Sequence, residues 1–342
     1  KVSRRLLLAL SSVLLIFALV LSGCSGKPTD AEGTTLPTAP SGATLRVGVI
    51  QYISHSSLDN CYQGVEEALR AKYGDNVIID RQIGSDTSAD ADCATYAKNM
   101  VAQGYDMLIA IATPAAVSAY AATEGTDIPV IFCSVSDPVS AKLVDSLEKP
   151  GTLCTGTADI LDLQGQVDLI RQLQPDVKTI GVLYTTSEVN SITQLNMLTD
   201  VCKQYDITVE ASGVQSASDI PSAVAALASK VDCINNFTDN NVVNNLTVVL
   251  DAANAAGIPV YGSEIEQVKK GCLASNSMDY VQIGKTTGEM AAEVLDGGDI
   301  TNMAVRTVSD SKPVINTEVL AQLQMEMPDT LANVAETVVT AQ

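Results

Sequence analysis

The sequence predicts an α/β protein made of two similar lobes, each with a parallel β-sheet flanked by helices. From residue 45 onward, short β-branched runs alternate with longer amphipathic stretches, which is typical of parallel sheets connected by helices. The pattern restarts about 130 residues later, a domain-sized spacing that is longer than the roughly 20–50 residues of solenoid repeats. The segment Gly257-Ile258-Pro259-Val260-Tyr261 repeats Asp127-Ile128-Pro129-Val130-Ile131 almost residue for residue. Two lobes of related structure follow from this repeat.

The alternation predicts the elements of each lobe in order. In the first lobe, strands are expected at 45–50, 76–80, 107–111, 128–132 and 151–156, with helices at 58–73, 89–103 and 115–123. In the second lobe, strands are expected at 179–184, 208–211, 233–237 and 257–261, with helices at 192–204 and 220–229. Ligands bind at the carboxyl ends of parallel strands, because the loops diverge there and helix N-termini present free N–H groups. Two such edges facing each other predict a cleft that closes around a small molecule.

The first residues of the sequence predict export. Lys1, Arg4 and Arg5 precede an apolar run that is short for a membrane-spanning helix and typical of a secretory signal. The run ends in Leu21-Ser22-Gly23-Cys24, which resembles the lipobox of bacterial lipoproteins. We therefore interpret 1–23 as a lipoprotein signal peptide and Cys24 as the lipidated residue.

Residues 24–43 are interpreted as the lipid anchor and a flexible tether. Gly, Pro, Ser, Thr and Ala dominate this stretch and leave too little apolar surface to fold. The expected location is extracytoplasmic, with the protein attached to the cell membrane by its lipid alone.

The charge of the chain excludes some classes of partner. Asp and Glu number 40 against 20 Lys and Arg, for a net charge of −20, and loss of the three basic residues of the signal would take it to −23. Nucleic acids and anionic membrane surfaces both require basic patches. Neither is expected to be a partner of this protein.

Seven cysteines follow Cys24, and their spacing predicts neither a metal site nor a disulfide framework. They are Cys61, Cys93, Cys133, Cys154, Cys202, Cys233 and Cys272. The number is odd, and no C-x-x-C pair occurs. Most lie in apolar runs, where a free cysteine acts as a small core residue. If any disulfide forms, Cys133 and Cys154 are the expected pair, since they lie in neighbouring predicted strands. No metal and no cofactor are expected.

The loops that follow the predicted strands are polar in both lobes, and they supply the candidate ligand-binding residues. Serine and threonine at these positions can also cap the helices that follow. The candidates are Tyr52, His55, Ser56, Ser57, Thr113, Pro114, Ser136, Asp137, Glu188, Asn190, Ser191, Thr238, Asp239, Asn240 and Glu264.

Several of these loops together resemble a known family. The segments are Gln51 to Asp59, Ile109 to Ala116, Ser136-Asp137-Pro138-Val139, Leu147 to Gly151 with Thr155-Gly156, and Asp239-Asn240. In this order they are similar to the ABC-transporter substrate-binding family that includes tryptophan- and tyrosine-binding lipoproteins, over about Leu45 to Gly298.

The resemblance implies the type I periplasmic-binding-protein fold, with two flavodoxin-like lobes joined by hinge crossovers. It implies that the first lobe comprises 44–157 plus 276–300 and the second 158–275 plus 301–342, with a helix at 283–295 in the first. It also implies delivery of a small molecule, most often an amino acid and in better-known members an aromatic one, to an ABC importer with permease and ATPase subunits.

An amino acid needs hydrogen-bond donors for its carboxylate and acceptors for its ammonium group. Ser56, Ser57 and Thr113 are the expected donors. The ammonium is expected to pair with Asp239, with Asp137 or Glu264 in reserve, while Asn190 and Asn240 suit either charge. Tyr52 and His55 are expected to flank the ligand side chain.

Three other functions remain open at this stage. His55 beside Ser56 and Ser57, with Asp59 nearby, invites a Ser-His-Asp interpretation, but no G-x-S-x-G elbow surrounds a serine, so an enzyme is not expected. A lipoprotein that senses its ligand has the same sequence requirements as an importer. Binding of a sugar or nucleoside is the third alternative, although the absence of Trp disfavours sugar stacking.

Overall fold

The computed structural model describes residues 44–308 and 311–341. The predicted signal peptide, Cys24 and the tether lie outside these residues. The strands are β1 (Leu45–Gln51), β2 (Val77–Ile83), β3 (Met107–Ile111), β4 (Val130–Cys133), β5 (Cys154–Ala158), β6 (Thr179–Thr185), β7 (Thr208–Val214), β8 (Cys233–Asn235), β9 (Val260–Tyr261), β10 (Ala274–Ser277), β11 (Arg306–Thr307), β12 (Lys312–Asn316) and β13 (Glu336–Val338). The helices are α1 (Ser56–Tyr73), α2 (Ala89–Ala102), α3 (Thr113–Ala122), α4 (Leu163–Leu173), α5 (Val189–Lys203), α6 (Ile220–Ala228), α7 (Asn240–Asn244), α8 (Leu246–Ala256), α9 (Ile265–Lys269), α10 (Tyr280–Leu295), α11 (Thr317–Gln322) and α12 (Asp329–Ala332).

The strands form two sheets, one for each lobe. The first has the order β11-β5-β4-β3-β1-β2 and the second the order β13-β12-β10-β9-β8-β6-β7. The pairings are parallel except between β10 and β12. Strands β3 and β4 are wholly buried, because helices cover both faces of a parallel sheet. The predicted two-lobed α/β fold is confirmed.

The chain passes between the lobes three times. It enters the second lobe after β5, returns to the first after β10, and leaves again after β11, since β11 pairs with β5 of the first sheet. The expectation that the second lobe resumes at 301 is corrected by this pairing. Arg306 and Thr307 still belong to the first sheet, and the final crossover lies between Thr307 and Lys312.

All seven cysteines of the described residues are buried and free, as expected for core residues. Cys133 and Cys154 do not pair, although their strands are neighbours. Cys154 lies opposite Val130, and Cys133 opposite Ile111 of β3. The two side chains belong to hydrophobic clusters on different faces of the sheet, so no disulfide can join them without rebuilding the strands.

Among the described residues, no helix combines the length and the apolar character needed to cross a membrane.

Candidate ligand-binding cleft

A cavity lies between the lobes, at the carboxyl ends of their strands. Its empty space is about 330 Å³, including the part open to solvent. Its lining residues are His55, Ser57, Leu58, Ala112, Thr113, Ser134, Asn190, Thr238, Asn240, Val243, Glu264, Gln267 and Tyr280. Both lobes therefore contribute to one site.

The first lobe brings the start of α1 to the cavity. The imidazole Nε2 of His55 lies 3.4 Å from Oδ1 of Asn240 in the opposite lobe. Burial lowers the pKa of His55 to about 4, so the ring is neutral near pH 7. Its Nδ1 and the hydroxyls of Ser56 and Ser57 are buried without a hydrogen-bond partner. Buried polar atoms without partners are rare in folded proteins, and these lie at or beside the cavity.

Two cavity residues at the ends of neighbouring strands have backbone conformations that L-residues rarely adopt. Ala112 follows β3 with φ of 80° and Ser134 follows β4 with φ of 58°. Such strain is stored most often at ligand sites. Here it turns the chain directly from each strand into the cavity wall, and Thr113 begins helix α3 there with a side chain only 4% exposed.

Glu188 sets the orientation of two asparagine amides in the second lobe. Its Oε2 accepts hydrogen bonds from Nδ2 of Asn190 at 3.0 Å and from Nδ2 of Asn240 at 2.7 Å. Both amide oxygens must then point away from Glu188. That of Asn240 faces His55, and that of Asn190 is buried without a partner in the cavity wall. Because Asn240 presents an oxygen, His55 Nε2 carries the proton and Nδ1 is an acceptor.

Asp239 does not face the ligand, which corrects the expectation that it pairs with an ammonium group. Its carboxylate accepts from the amide of Thr185 at 2.5 Å, the hydroxyl of Thr185 at 2.8 Å, the hydroxyl of Ser191 at 2.7 Å and the amide of Val242 at 2.9 Å. These four bonds fill its acceptor positions. Asp239 therefore caps α7 and joins it to the end of β6 and the start of α5.

Glu264 is the acidic side chain that does line the cavity. It caps α9 by accepting from the amides of Glu266 at 2.6 Å and Gln267 at 2.9 Å, one on each carboxylate oxygen. Each oxygen keeps a second acceptor position. Burial raises the pKa of Glu264 to about 7.

Other predicted residues lie beside the cavity rather than in its lining. Tyr52 belongs to an outer groove formed with 86–91 and 215–218, so the expected stacking against the ligand is not supported. Ser136 and Asp137 form hydrogen bonds with the second lobe, from Gln194 at 3.0 Å and from Thr193 at 3.4 Å. The remaining residues that do not line the cavity are Ser56, Pro114, Glu188 and Ser191.

Six lining residues were not singled out from the sequence: Leu58, Ala112, Ser134, Val243, Gln267 and Tyr280. Tyr280 begins α10 directly after the second crossover, and Ser134 directly precedes the loop that contains Ser136. Their positions next to a predicted crossover or loop could have identified these two residues from the sequence. Gln267 gave no such signal, because its place in the cavity depends on how α9 packs under the end of β8, where its amide donates to the carbonyl of Phe237.

The arrangement is not that of a Ser-His-Asp catalytic site. The Nε2 of His55 contacts Asn240, and neither Ser56 nor Ser57 has a hydrogen-bond partner. Asp59 instead contacts Arg81 and the amide of Gln51.

Comparison with known proteins shows the family of the chain. Residues 46–339 match the family described as ABC transporter substrate binding protein. The chain belongs to this family. It is 36% identical over 313 residues to the tyrosine-binding protein of Clostridioides difficile strain R20291, covering 90% of this chain and 89% of that protein. The family consists of solute-binding proteins, which act outside the cytoplasm and are not enzymes.

Solved structures of relatives have the same fold. An ABC domain in complex with L-Trp from Streptococcus pneumonia superposes with a TM-score of 0.82 at 36% identity, covering 86% of this chain and all of that one. A myo-inositol-bound solute-binding protein from Bacillus halodurans, at 16% identity and a TM-score of 0.60, covers 82% of this chain and 98% of its own. At that identity it supports the fold alone, which is the type I periplasmic-binding-protein fold expected from the sequence.

The lobes of this protein are closed on each other. The ligand-free, open structure of a substrate-binding protein with adhesive properties from Clostridium difficile is 33% identical and covers 87% of this chain and all of its own. Its TM-score is only 0.67, against 0.82 for the L-Trp complex. Hydrogen bonds between the lobes at His55, Ser136 and Asp137 agree with this difference.

Proposed function

We propose that this protein binds an aromatic amino acid, tyrosine or tryptophan, between its lobes and delivers it to an ABC importer. The observation that carries the proposal is the polar composition of the cavity. Its lining holds one carboxylate and several neutral donors and acceptors, with neither lysine nor arginine. A zwitterion fits such a lining, because the one carboxylate can pair with its ammonium group and the neutral donors can hydrogen-bond to its carboxylate.

The acceptors and donors divide between the two ends of an amino acid. Glu264 and the unpartnered Oδ1 of Asn190 are the proposed partners of the ammonium group. Ser57, Thr113 and Thr238 are the proposed donors to the carboxylate, together with amides at the starts of α1 and α3.

The side chain of the ligand is assigned to the less polar part of the lining. Leu58, Val243 and the ring of Tyr280 supply apolar surface, and His55 supplies a neutral ring. Stacking against such rings contributes roughly 0.5–1.5 kcal/mol beyond area burial. The tyrosine-binding relative and the relative solved with L-Trp support an aromatic cargo.

Titration calorimetry with L-tyrosine and L-tryptophan tests the proposal. The chain contains no Trp, so indole fluorescence from the complex must come from bound ligand. Mass spectrometry of the small molecules released by denaturation identifies any ligand that copurifies. Failure of both amino acids to bind, or to raise the melting temperature, would contradict the proposed cargo.

We further propose that Cys24 carries the lipid that holds the protein at the membrane. Replacing the cysteine removes the thiol to which a lipid attaches. Cys24→Ser is expected to release the protein from the membrane fraction and to abolish labelling by a radioactive fatty acid. Ser25→Ala is the matched control and should keep both properties.

Import is tested separately from binding. Deleting the protein should abolish uptake of the radiolabelled amino acid that it binds, and purified permease and ATPase subunits should hydrolyse ATP faster when the liganded protein is added. Intact uptake in the deletion strain would favour a sensor over an importer.

A further inference from the structure

Gln194 lies in α5, outside the cavity lining, and joins the two lobes. The side chain is 2% exposed. Its Nε2 donates to the hydroxyl of Ser136 in the first lobe at 3.0 Å and to the hydroxyl of Thr238 in the second lobe at 2.6 Å. Its Oε1 is buried and has no partner. One amide nitrogen therefore contacts a residue of each lobe.

The neighbours of Gln194 fix the direction of these bonds. The Ser136 hydroxyl donates its single proton to Asp159 at 3.0 Å, so toward Gln194 it can only accept. The nitrogen of Gln194 must then face Ser136. The same NH₂ group donates its second hydrogen to Thr238, whose own hydroxyl proton is left free. Because Thr238 lines the cavity, that proton is available to a ligand.

Asp159 extends the chain of hydrogen bonds to two of the three crossovers. It directly follows β5 at the first crossover and is 2% exposed. It accepts from the hydroxyl of Ser134 at 2.8 Å and from the hydroxyl of Tyr280 at 3.1 Å. Tyr280 begins α10 at the second crossover, and both donors line the cavity. The bonds thus run from Thr238 in one wall of the cavity to Ser134 and Tyr280 in the other.

We propose that Gln194 is a positioning residue for the ligand, which makes Thr238 a hydrogen-bond donor to a ligand oxygen when the lobes close. Closure brings Ser136 to the amide nitrogen, and the amide then presents its second hydrogen to Thr238. In the open form Ser136 is withdrawn, and the amide is free to turn its oxygen to Thr238, which then donates to Gln194 instead. Ligand binding and closure are coupled through this amide. The inference rests on the proposed function, because it needs a ligand oxygen at Thr238.

The test replaces the donor by an acceptor of the same shape. Gln194→Glu presents a carboxylate to Ser136 and Thr238, so the Thr238 proton turns away from the cavity. Affinity for L-tyrosine or L-tryptophan, measured by calorimetry at pH 8, should fall at least about tenfold. Gln204→Glu makes the same chemical change at the exposed C-terminal end of the same helix and should bind as the wild type does.

A pH profile separates positioning from a general loss of structure. A protonated glutamic acid regains one O–H donor, so the affinity ratio between wild type and Gln194→Glu should shrink as the pH falls from 8 toward 5. Small-angle scattering should show a smaller ligand-induced decrease in the radius of gyration for Gln194→Ala and Ser136→Ala. In a double-mutant cycle, Ser136→Ala should add little to Gln194→Ala.

The outcomes distinguish the two proposals. If the wild type binds neither amino acid, the proposed function is wrong and this inference falls with it. If the wild type binds and closes but folded Gln194→Glu and Gln194→Ala match it in affinity and compaction, the inference alone is overturned. A ratio that does not change with pH would likewise assign Gln194 a purely structural role.

Discussion

The three buried carboxylates of the second lobe's cleft have different roles, although all follow predicted strands. Asp239 and Glu188 accept hydrogen bonds from the protein itself, whereas Glu264 keeps acceptor positions open to the cavity. Residue type alone does not distinguish these roles. They depend on which donors the fold brings to each oxygen.

Asp239 provides a prediction about stability, because it caps a helix instead of pairing with an ammonium group as the sequence led us to expect. Replacing it by Ala removes the acceptor of four hydrogen bonds, two of them from buried backbone amides. The free energy of unfolding of the ligand-free protein should fall by about 2–4 kcal/mol, measured by urea denaturation. Asp200→Ala, on an exposed side chain of α5, should change it by less than about 0.5 kcal/mol. If Asp239→Ala keeps its stability but loses affinity for the ligand, Asp239 contacts the ligand after all.

Glu264 provides a prediction about pH. Its pKa is raised to about 7 by burial, and pairing with a ligand ammonium group requires the ionised form. Affinity should therefore increase as the pH rises from 6 to 8, by up to about tenfold per unit below pH 7. The stability of the ligand-free protein changes with pH in the opposite direction. A raised pKa favours the protonated folded state, and that contribution to stability is lost as the pH rises through about 7.

Calorimetry across this range, on the wild type and Glu264→Gln, checks the assignment. The variant should lose the pH dependence of affinity near 7. If affinity depends on pH equally in the two proteins, the ammonium group does not pair with Glu264.

At the scale of elements, the first lobe depends on a close contact between α1 and α10. A Cβ on Gly64 would fall less than 3.0 Å from the carbonyl oxygen of Val281, and a Cβ on Gly284 less than 3.0 Å from that of Cys61. Backbone atoms cannot move aside as a flexible side chain can. Glycine is therefore required where the helices cross, although it lowers helix propensity.

Gly64→Ala and Gly284→Ala test this contact. Helix propensity alone would stabilise either variant by about 1 kcal/mol, but the clash between helices should reverse the sign and cost about 1–3 kcal/mol. Thermal unfolding measures the difference. Gln63→Ala, on an exposed neighbour in α1, should be nearly neutral. A stabilised Gly64→Ala would show that the helices separate at little cost.

Most elements of the repeated pattern were predicted within a few residues, because alternation of apolar and polar residues is a local signal. Helices α4 and α8 were not predicted. Both lie between recognised strands and bury apolar residues. Strand β10 was not predicted either. Its residues, Ala274–Ser277, are small and mostly polar, and they form a strand only because the fold brings them beside other strands.

At the scale of the whole molecule, we expect the stability of the protein not to depend on redox conditions, because of the state of its seven described cysteines. All are buried and free, and burial raises the pKa of Cys154, Cys202 and Cys233 among them. Buried thiols with raised pKa values react slowly. Under native conditions these seven should resist a thiol reagent, react fully in guanidinium, and leave the melting temperature unchanged by reductant. Rapid native labelling would contradict the packing of both lobes.

The sequence by itself determined the two-lobed fold and the edge at which the cleft lies, because strand periodicity and the repeated Ile-Pro-Val element are local patterns. It also yielded seven of the cavity-lining residues among others that lie nearby: His55, Ser57, Thr113, Asn190, Thr238, Asn240 and Glu264. Only the tertiary structure decided which polar groups remain free for a ligand. A carboxylate such as Asp239 is satisfied by Thr185 and Ser191, far away in the chain, and Gln194 gains its role only when Ser136 of the other lobe reaches it. Hydrogen-bond partners depend on which residues the fold brings close together, and the spacing of residues along the chain does not determine this.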